Sequence, residues 1–120
     1  MSSDDGISTS VERRDDVTVL TVDGVVDLAT APALENLLTE LLDDGPGGVV
    51  IDLTAVTFLA SVGLRILAET HERLGGSRRF AVVATGPVTA RPIQLTRLDE
   101  FLALYPSVEA ALTGLRDAAQ

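Results

Sequence analysis

The sequence predicts an α/β fold built on a mixed, mostly parallel sheet. Short apolar runs, typical of strands buried on both faces, alternate along the chain with segments of helical periodicity. That alternation favours βαβ units with right-handed crossovers, and therefore parallel strands. Two consecutive strands near the N-terminus would supply an antiparallel edge to the same sheet.

The composition indicates one domain with an acidic surface. The 120 residues suffice to bury a core without disulfides. Nine basic and 18 acidic residues give a net charge of −9, which argues against a nucleic-acid partner or an anionic membrane. The absence of cysteine excludes thiolate catalysis and cysteine metal sites. Neither a signal peptide nor a membrane-length apolar run is visible, so we expect a cytoplasmic protein.

The N-terminal residues divide into a flexible start and the first two strands. Residues 1–7 are rich in Ser, Asp and Gly and are assigned to a flexible N-terminus, so that the domain spans residues 8–118. Ser8–Arg13 is a candidate edge strand, and residues 15–16 form the turn that follows it. A strand rich in β-branched residues then begins at Val17.

This strand meets an Asp-Gly pair at residues 23–24, which leaves two alternatives. Asp-Gly between apolar runs is a strong hairpin signal. Only Val25 and Val26 follow before helix signals begin, however, and two residues are short for a partner strand. We therefore expect a bulge or bend at Gly24 within one long strand.

A first helix is expected to begin at Thr30, a favourable N-cap, with Pro32 in its first turn. The glycines of segment 45–48 end this helix. Its apolar stripe consists of Leu34, Leu37, Leu38, Leu41 and Leu42.

The stretch from Gly48 to Leu74 forms the centre of the predicted fold. Its apolar run Val49–Ile51 suits a buried strand, although so short a run does not exclude a buried helix. After the apolar pair at 58–59 a helix begins, and Ser61 lies close to its N-terminus. On a helical wheel the inward stripe contains Leu64, Leu67, Ala68, His71 and Leu74, whereas Val62, Ile66, Glu69 and Arg73 lie opposite.

The C-terminal third continues the alternation of strands and helices. Glycines at 75–76 end the second helix, and Phe80–Ala84 is a further candidate for a buried strand. A short helix is expected over Thr89–Leu98, and a short last strand over Phe101–Tyr105. Ser107 is expected to cap a final helix whose inner face carries Val108, Ala111, Leu112 and Leu115.

The local pattern allows two interpretations of Ser61. Its hydroxyl can act as an N-cap by accepting a hydrogen bond from a free backbone N–H, which is worth about 1 kcal/mol. Alternatively, Ser61 can carry a phosphate, because a helix N-terminus offers unpaired N–H groups and the positive end of a dipole. Without further context the cap is favoured.

Two blocks of the sequence resemble the STAS superfamily, in particular its anti-sigma factor antagonists. The blocks are Gly24-Val25-Val26-Asp27-x-x-Thr30-x-x-x-Leu34 and Asp52-Leu53-x-x-Val56-x-Phe58-Leu59-x-Ser61-x-Gly63-Leu64. The resemblance extends from about Thr9 to Leu115, and it is nearest to the mycobacterial type that acts on the anti-sigma factor of sigma factor F. It implies a single STAS domain with helices mainly on one side of the sheet. The family often has Asp immediately before the modified serine, where this chain has Ala60.

The resemblance implies a protein-binding switch. The unmodified domain would bind an anti-sigma factor that is also a serine kinase, and a sigma factor would be released. The kinase would phosphorylate Ser61, and a metal-dependent serine/threonine phosphatase would reset it. Val62 and Ile66, which the wheel places on the outer side of the helix, are candidate apolar contacts. The expected partner-binding residues are Asp27, Thr30, Thr57, Ala60, Val62, Gly63, Arg65, Ile66 and Glu69.

The residues do not indicate an enzyme. His71, the single histidine, lies on the same helix as Ser61, about 15 Å away along the axis, so the two cannot form a catalytic dyad within it. We expect a neutral, hydrogen-bonded histidine at the edge of the core. Carboxylates with metal-site spacing and glycine-rich phosphate loops are missing from the sequence. No cofactor is therefore expected, and weak nucleotide binding is left open.

The alternative to the switch is a STAS module whose serine is never phosphorylated. Such a domain could be a structural part of a larger signalling assembly, or a sensor that binds a small ligand. Ala60 keeps this alternative open, since an Asp at that position could orient the Ser61 hydroxyl or contact the kinase.

Overall fold

The computed structural model of this protein describes residues 2–4 and 6–118. Six strands and four α-helices follow one another in this part of the chain. The strands are β1 (Ser2–Asp4), β2 (Ile7–Arg14), β3 (Val17–Val26), β4 (Gly48–Leu59), β5 (Phe80–Val83) and β6 (Ala103–Tyr105). The helices are α1 (Ala31–Asp43), α2 (Ser61–Leu74), α3 (Gly86–Leu95) and α4 (Val108–Ala118), with a short 3-10 turn at Leu98–Glu100.

The strands form one sheet whose spatial order follows their order in the sequence. β1, β2 and β3 pair antiparallel, whereas β3, β4, β5 and β6 pair parallel. Parallel neighbours need a crossover connection, and α1, α2 and α3 lie in those connections. The predicted mixed, mostly parallel sheet with an antiparallel N-terminal edge is confirmed.

Apolar side chains pack on both faces of the sheet. The larger cluster joins strand residues such as Leu20 and Ile51 to α1, α2 and α3. The smaller cluster places Val19, Val50 and Val83 beneath α4. Successive strand residues point to opposite faces, so the neighbours Val19 and Leu20 belong to different clusters. Three helices thus cover one face and one covers the other, which confirms the arrangement that the family resemblance implied.

The long strand β3 passes through Gly24 without a hairpin, as expected. The pairing with β4 shifts on either side of this residue, but the extra residues lie in β4, so the expected bulge is found in the partner strand and not at Gly24 itself. Gly24 has φ +106°, and a Cβ placed on it would lie 2.3 Å from the carbonyl oxygen of Gly6. The backbone of residues 6–7 therefore lies against Gly24 in a way that a side chain would prevent.

β4 is a single strand from the apolar run at its start to Leu59, and it is longer than expected. Relative to β3 it gains one extra residue after Asp52 and another after Val56. These bulges turn Leu53, Val56 and Leu59 towards the same core even though they are three residues apart. At the first bulge the Asp52 carboxylate accepts the N–H of Thr54 at 3.0 Å.

The N-terminal boundary differs from the expected one. Residues 2–4 pair with β2, where the sequence analysis assigned a flexible segment. Ile7 begins β2 and is buried in the larger cluster. Residues 1 and 5 of the assigned segment lie outside the described residues. The structure therefore places the start of the folded domain before residue 8.

Most other ends agree with expectation to within a few residues. Gly75 ends α2 in the left-handed conformation, and Ser107 Oγ accepts the N–H of Ala110 at 3.1 Å as the cap of α4. α3 begins three residues earlier than expected, because Pro87 is compatible with a first helical turn. The last strand begins at Ala103 rather than at Phe101.

Candidate functional site

The candidate site lies at the edge of the sheet where β3 and β4 end. The two strands are parallel neighbours, and their last residues, Val26 and Leu59, are paired. Directly after them the N–H of Ala60 donates to the carbonyl of Val26 at 2.9 Å. The turn at residues 27–30 and the first turn of α2 therefore lie side by side.

Ser61 is the first residue of α2, and it is exposed. Ala60 occupies the N-cap position, with the extended backbone typical of that position (φ −81°, ψ 169°) and no side-chain cap. The N-cap interpretation of Ser61 is therefore wrong, since the serine lies one residue too far into the helix.

Asp27 and Thr30 hold the turn after β3 together. The Asp27 carboxylate accepts the N–H groups of Ala29 and Thr30 at 2.9 and 3.1 Å. The Thr30 hydroxyl donates to the carbonyl of Val25 at 2.8 Å and accepts the N–H of Asp27 at 3.0 Å. Thr30 precedes α1 as its N-cap, yet its hydroxyl makes no cap bond. Because Thr30 is buried, its expected role as a partner contact is corrected to a structural one.

The face of α2 that enters the core is rotated from the one that the helical wheel indicated. Ile66, expected on the outer side as a partner contact, is 3 % exposed, so that expectation is wrong. The wheel treated the sheet as the only packing surface, whereas α2 also packs against α1. Ile66 and Leu38 line the groove between these two helices. The buried residues of α2 are Gly63, Ile66, Leu67, Thr70 and Leu74.

Gly63 is likewise a packing residue. A Cβ placed on it would lie 2.5 Å from Leu59 Cδ1 and 2.9 Å from Val26 Cγ1. The absence of a side chain lets the first turn of α2 lie directly on the ends of β3 and β4. Gly63 therefore positions Ser61, and its expected contact with a partner is corrected.

The exposed remainder of the predicted surface is mostly polar. Arg65 forms ion pairs with Glu69 on the same helix and with Glu35 of α1, the latter at 3.5 Å. The hydroxyl of Thr57 donates to the carbonyl of Gly24 at 3.2 Å. Of the expected partner contacts, the exposed ones are Thr57, Arg65 and Glu69, and the half-buried ones are Asp27, Ala60 and Val62.

Two exposed apolar side chains at this edge were missed by the sequence analysis. Leu28, in the turn after β3, is 82 % exposed, and Phe58, next to the last residue of β4, is 53 % exposed. Exposed apolar groups at the edge of a polar surface are typical of protein interfaces. Leu28 carried a signal, because a large apolar residue stands there in a short turn between a strand and a helix.

His71 takes no part in this site. Its half-buried ring contacts Phe80 and Phe101, with centroid distances of 6.5 and 5.3 Å. Its Nδ1 atom is buried without a hydrogen-bond partner in the described part of the chain, so the expected hydrogen bond is not made there. Within residues 2–4 and 6–118, no group of three or more acidic or histidine side chains could hold a metal ion. No helix in that part is long and apolar enough to cross a membrane.

A cavity of about 380 Å³ lies at the other end of the sheet, between the β2–β3 turn, the start of β4 and α4. The guanidinium of Arg14 is paired with Glu109, and that of Arg78 donates to the carbonyl of Ala118. This balanced lining offers a phosphate group no excess of positive charge, so it lends no support to the weak nucleotide binding that the sequence left open. The charged lining residues are Arg14, Asp15, Asp16, Arg78, Glu109 and Arg116.

Comparison with known proteins decides the classification. Residues 8–111 match the STAS domain. This chain belongs to the STAS domain family. It is 49 % identical over 116 residues to the anti-sigma-F factor antagonist RsfB of Mycobacterium tuberculosis, and the match covers 97 % of this chain and 95 % of RsfB. The resemblance to anti-sigma factor antagonists of the mycobacterial type is thereby confirmed.

Solved structures share the STAS fold. The crystal structure of an anti-sigma factor antagonist from Mycobacterium paratuberculosis is 52 % identical, with a TM-score of 0.90 over 98 % of this chain and all of that one. RsbS from Moorella thermoacetica has a TM-score of 0.71 at 24 % identity, covering 92 % of this chain and 97 % of its own, which shows the fold alone. The names of the mycobacterial relatives describe regulatory binding proteins rather than enzymes.

Proposed function

We propose that this STAS domain is an anti-sigma factor antagonist. It binds an anti-sigma factor that is also a serine kinase, and it thereby releases the sigma factor. Similarity to RsfB over nearly the full length supports the partner class. The structural observation that carries the proposal is the exposed Ser61 at the start of α2, at the same edge of the sheet as exposed Leu28 and Phe58. The role requires binding alone, so we infer that the protein is not an enzyme. Because the proposed partner is the anti-sigma factor that holds a sigma factor, we also infer a cytoplasmic location.

The apolar side chains supply the affinity in this proposal. Complete burial of a Leu or Phe side chain is worth about 1.5–3 kcal/mol. In the free domain most of the Leu28 side chain and about half of the Phe58 side chain are exposed. Much of this free energy is therefore available on binding. Thr57, Arg65 and Glu69 form the polar rim around them.

Phosphorylation of Ser61 switches the domain off. The phosphate adds roughly −1.5 to −2 charges at the first residue of α2. In the free domain it is stabilised by the helix N-terminus, whereas in the complex it must be desolvated against the partner. A loss of about 1.4 kcal/mol already lowers affinity tenfold. A metal-dependent serine/threonine phosphatase restores the binding form.

Calorimetric titration of the domain with its cognate anti-sigma kinase tests the interface. We expect Leu28→Asp and Phe58→Asp each to weaken binding at least about tenfold, because each places a charge where an apolar contact forms. Leu95→Asp is the matched control, since Leu95 is 71 % exposed but lies at the far end of α3. Equal affinity of wild type and both edge variants would contradict the proposed surface.

Mass spectrometry after incubation with the kinase and ATP tests the modification. We expect one phosphate on the wild type and none on Ser61→Ala. A metal-dependent serine/threonine phosphatase should remove it. If the domain binds the kinase but gains no phosphate, while the kinase phosphorylates another substrate, the alternative of a non-phosphorylated STAS module is correct.

A further inference from the structure

Arg65 lies one helical turn after Ser61 and is held by two carboxylates. One guanidinium nitrogen contacts Glu69 on α2, and the other lies 3.5 Å from Glu35 on α1. All three side chains are roughly half exposed. Exposed ion pairs contribute little stability each, and Arg65 can therefore change partners at small cost.

The helix places Arg65 within reach of a group attached to Ser61. Residues four apart lie on one helix face, about 6 Å apart along the axis, and helical side chains lean towards the N-terminus. An acidic group four residues before a basic one is the favourable order, and the present Arg65–Glu69 pair has the reverse order. A phosphate also carries more charge than either carboxylate. Arg73, the next cation of α2, lies about 18 Å from Ser61 along the axis.

We propose that Arg65 exchanges its two carboxylates for the phosphate when Ser61 is phosphorylated. This inference rests on the modification proposed above. The planar guanidinium suits two parallel hydrogen bonds to phosphate oxygens. The exchange breaks the ion pair between α1 and α2, and it leaves Glu35 and Glu69 without a cation. Phosphorylation of one residue therefore makes the surface more negative across both helices, and a partner docked there is repelled from α1 as well as from α2.

The test uses the full chain with phosphoserine inserted at position 61 during translation. The second ionisation of the phosphate is followed by phosphorus NMR in wild type, Arg65→Gln and Arg73→Gln. The charged groups around the phosphate are Arg65 and Glu69 of α2, Glu35 of α1, and Asp27 of the turn that lies beside the first turn of α2. Because a cation favours the dianion, we expect the phosphate of Arg65→Gln to titrate about 0.3 pH units higher than that of the wild type. Arg73→Gln should titrate like the wild type.

Two results would overturn the exchange. Identical titrations of wild type and Arg65→Gln would show that Arg65 does not hold the phosphate. If the phosphate of Arg73→Gln titrated higher by the same amount, the effect would come from the overall positive charge of the helix and not from contact with Arg65. The Nε–H resonance of Arg65 should also shift on phosphorylation, while that of Arg73 stays in place. These measurements need neither the kinase nor the anti-sigma factor. A negative result for Arg65 therefore leaves the proposed binding function intact. Conversely, the titrations can still be interpreted if the domain does not bind an anti-sigma factor.

Discussion

Replacing Ala60 with Asp should stabilise the domain. Ala60 is the N-cap of α2, and its extended backbone is already that of a cap residue, but its side chain accepts no hydrogen bond. The N–H of Gly63, the third helical residue, already donates to the carbonyl of Ala60 at 2.9 Å. A carboxylate at position 60 is therefore expected to accept the N–H of the second helical residue, Val62. Since the family often has Asp immediately before the modified serine, this chain lacks a cap for which its backbone is prepared.

The expected gain is about 1 kcal/mol. An N-cap Asp in place of Ala is worth about 0.5–2 kcal/mol in proteins. The favourable interaction of a carboxylate with the helix dipole, about 0.3–1 kcal/mol, overlaps with the cap hydrogen bond and is not added to it. Residue 60 is half-buried, so water competes for the new hydrogen bond and the middle of the range is appropriate. In a domain of this size the gain corresponds to a rise in Tm of roughly 3–5 °C.

Urea unfolding followed by circular dichroism measures the change in the free energy of unfolding. Ala60→Asn is the matched variant, because it offers the same hydrogen bond without the charge. Similar gains for both variants would assign the effect to the cap, and a larger gain for Asp would assign the difference to the dipole. If Ala60→Asp is no more stable than the wild type at unchanged m-value, the cap reasoning is refuted.

The remaining predictions concern residues whose roles the structure reassigned, and each is measured by urea unfolding. Ile66→Ala should lower the free energy of unfolding by about 2–5 kcal/mol, as expected for a core residue. Val11→Ala, at a half-exposed site, should lower it much less, and similar losses in the two variants would contradict the burial of Ile66. Gly63→Ala should lower the free energy of unfolding by about 1 kcal/mol, because overpacking against the strand ends outweighs the gain in helix propensity. A variant more stable than the wild type would contradict the close contact. Asp27→Ala should lower the free energy of unfolding by about 1–2 kcal/mol, because it leaves two N–H groups unpaired. Asp23→Ala, at an exposed site, is the control and should leave stability unchanged. Equal stability of the two variants would contradict the structural role of Asp27.

Local signals accounted for the elements whose ends are fixed by single residues. The strand from Val17, the end of α2 at Gly75 and the cap at Ser107 all agree with the structure. Backbone preference and short-range hydrogen bonds decide such features, and both can be read from neighbouring residues. The position of Ser61 at the start of α2 also followed from the strand-to-helix junction in the sequence.

The inward face of α2 could not be predicted in the same way. Apolar residues occur all around this helix, with Leu64 and Ala68 on one side and Val62 and Ile66 on another. Periodicity alone gives a direction only when one side is polar. The packing of α2 against both the sheet and α1 placed Ile66 in the core and left Leu64 half-buried.

For a related reason, the sequence predicted only the first part of β4 as a strand. Its buried residues Leu53, Val56 and Leu59 are three apart, a spacing that fits neither the alternation of a regular strand nor a long helix. The bulges that make this spacing possible lie where β4 pairs with the part of β3 around Gly24. Pairing with a neighbouring strand is not visible in the residues of β4 themselves.

The sequence by itself determined the fold class, the family and the position of Ser61 at the start of a helix, because these depend on periodicity, caps and motifs within short segments. The tertiary structure alone decided which residues around Ser61 are available to a partner. Thr30, Gly63 and Ile66 are buried, whereas Leu28 and Phe58 are exposed. Exposure depends on which neighbouring elements cover a side chain, and those neighbours are brought together only when the strands pair and the helices pack on them.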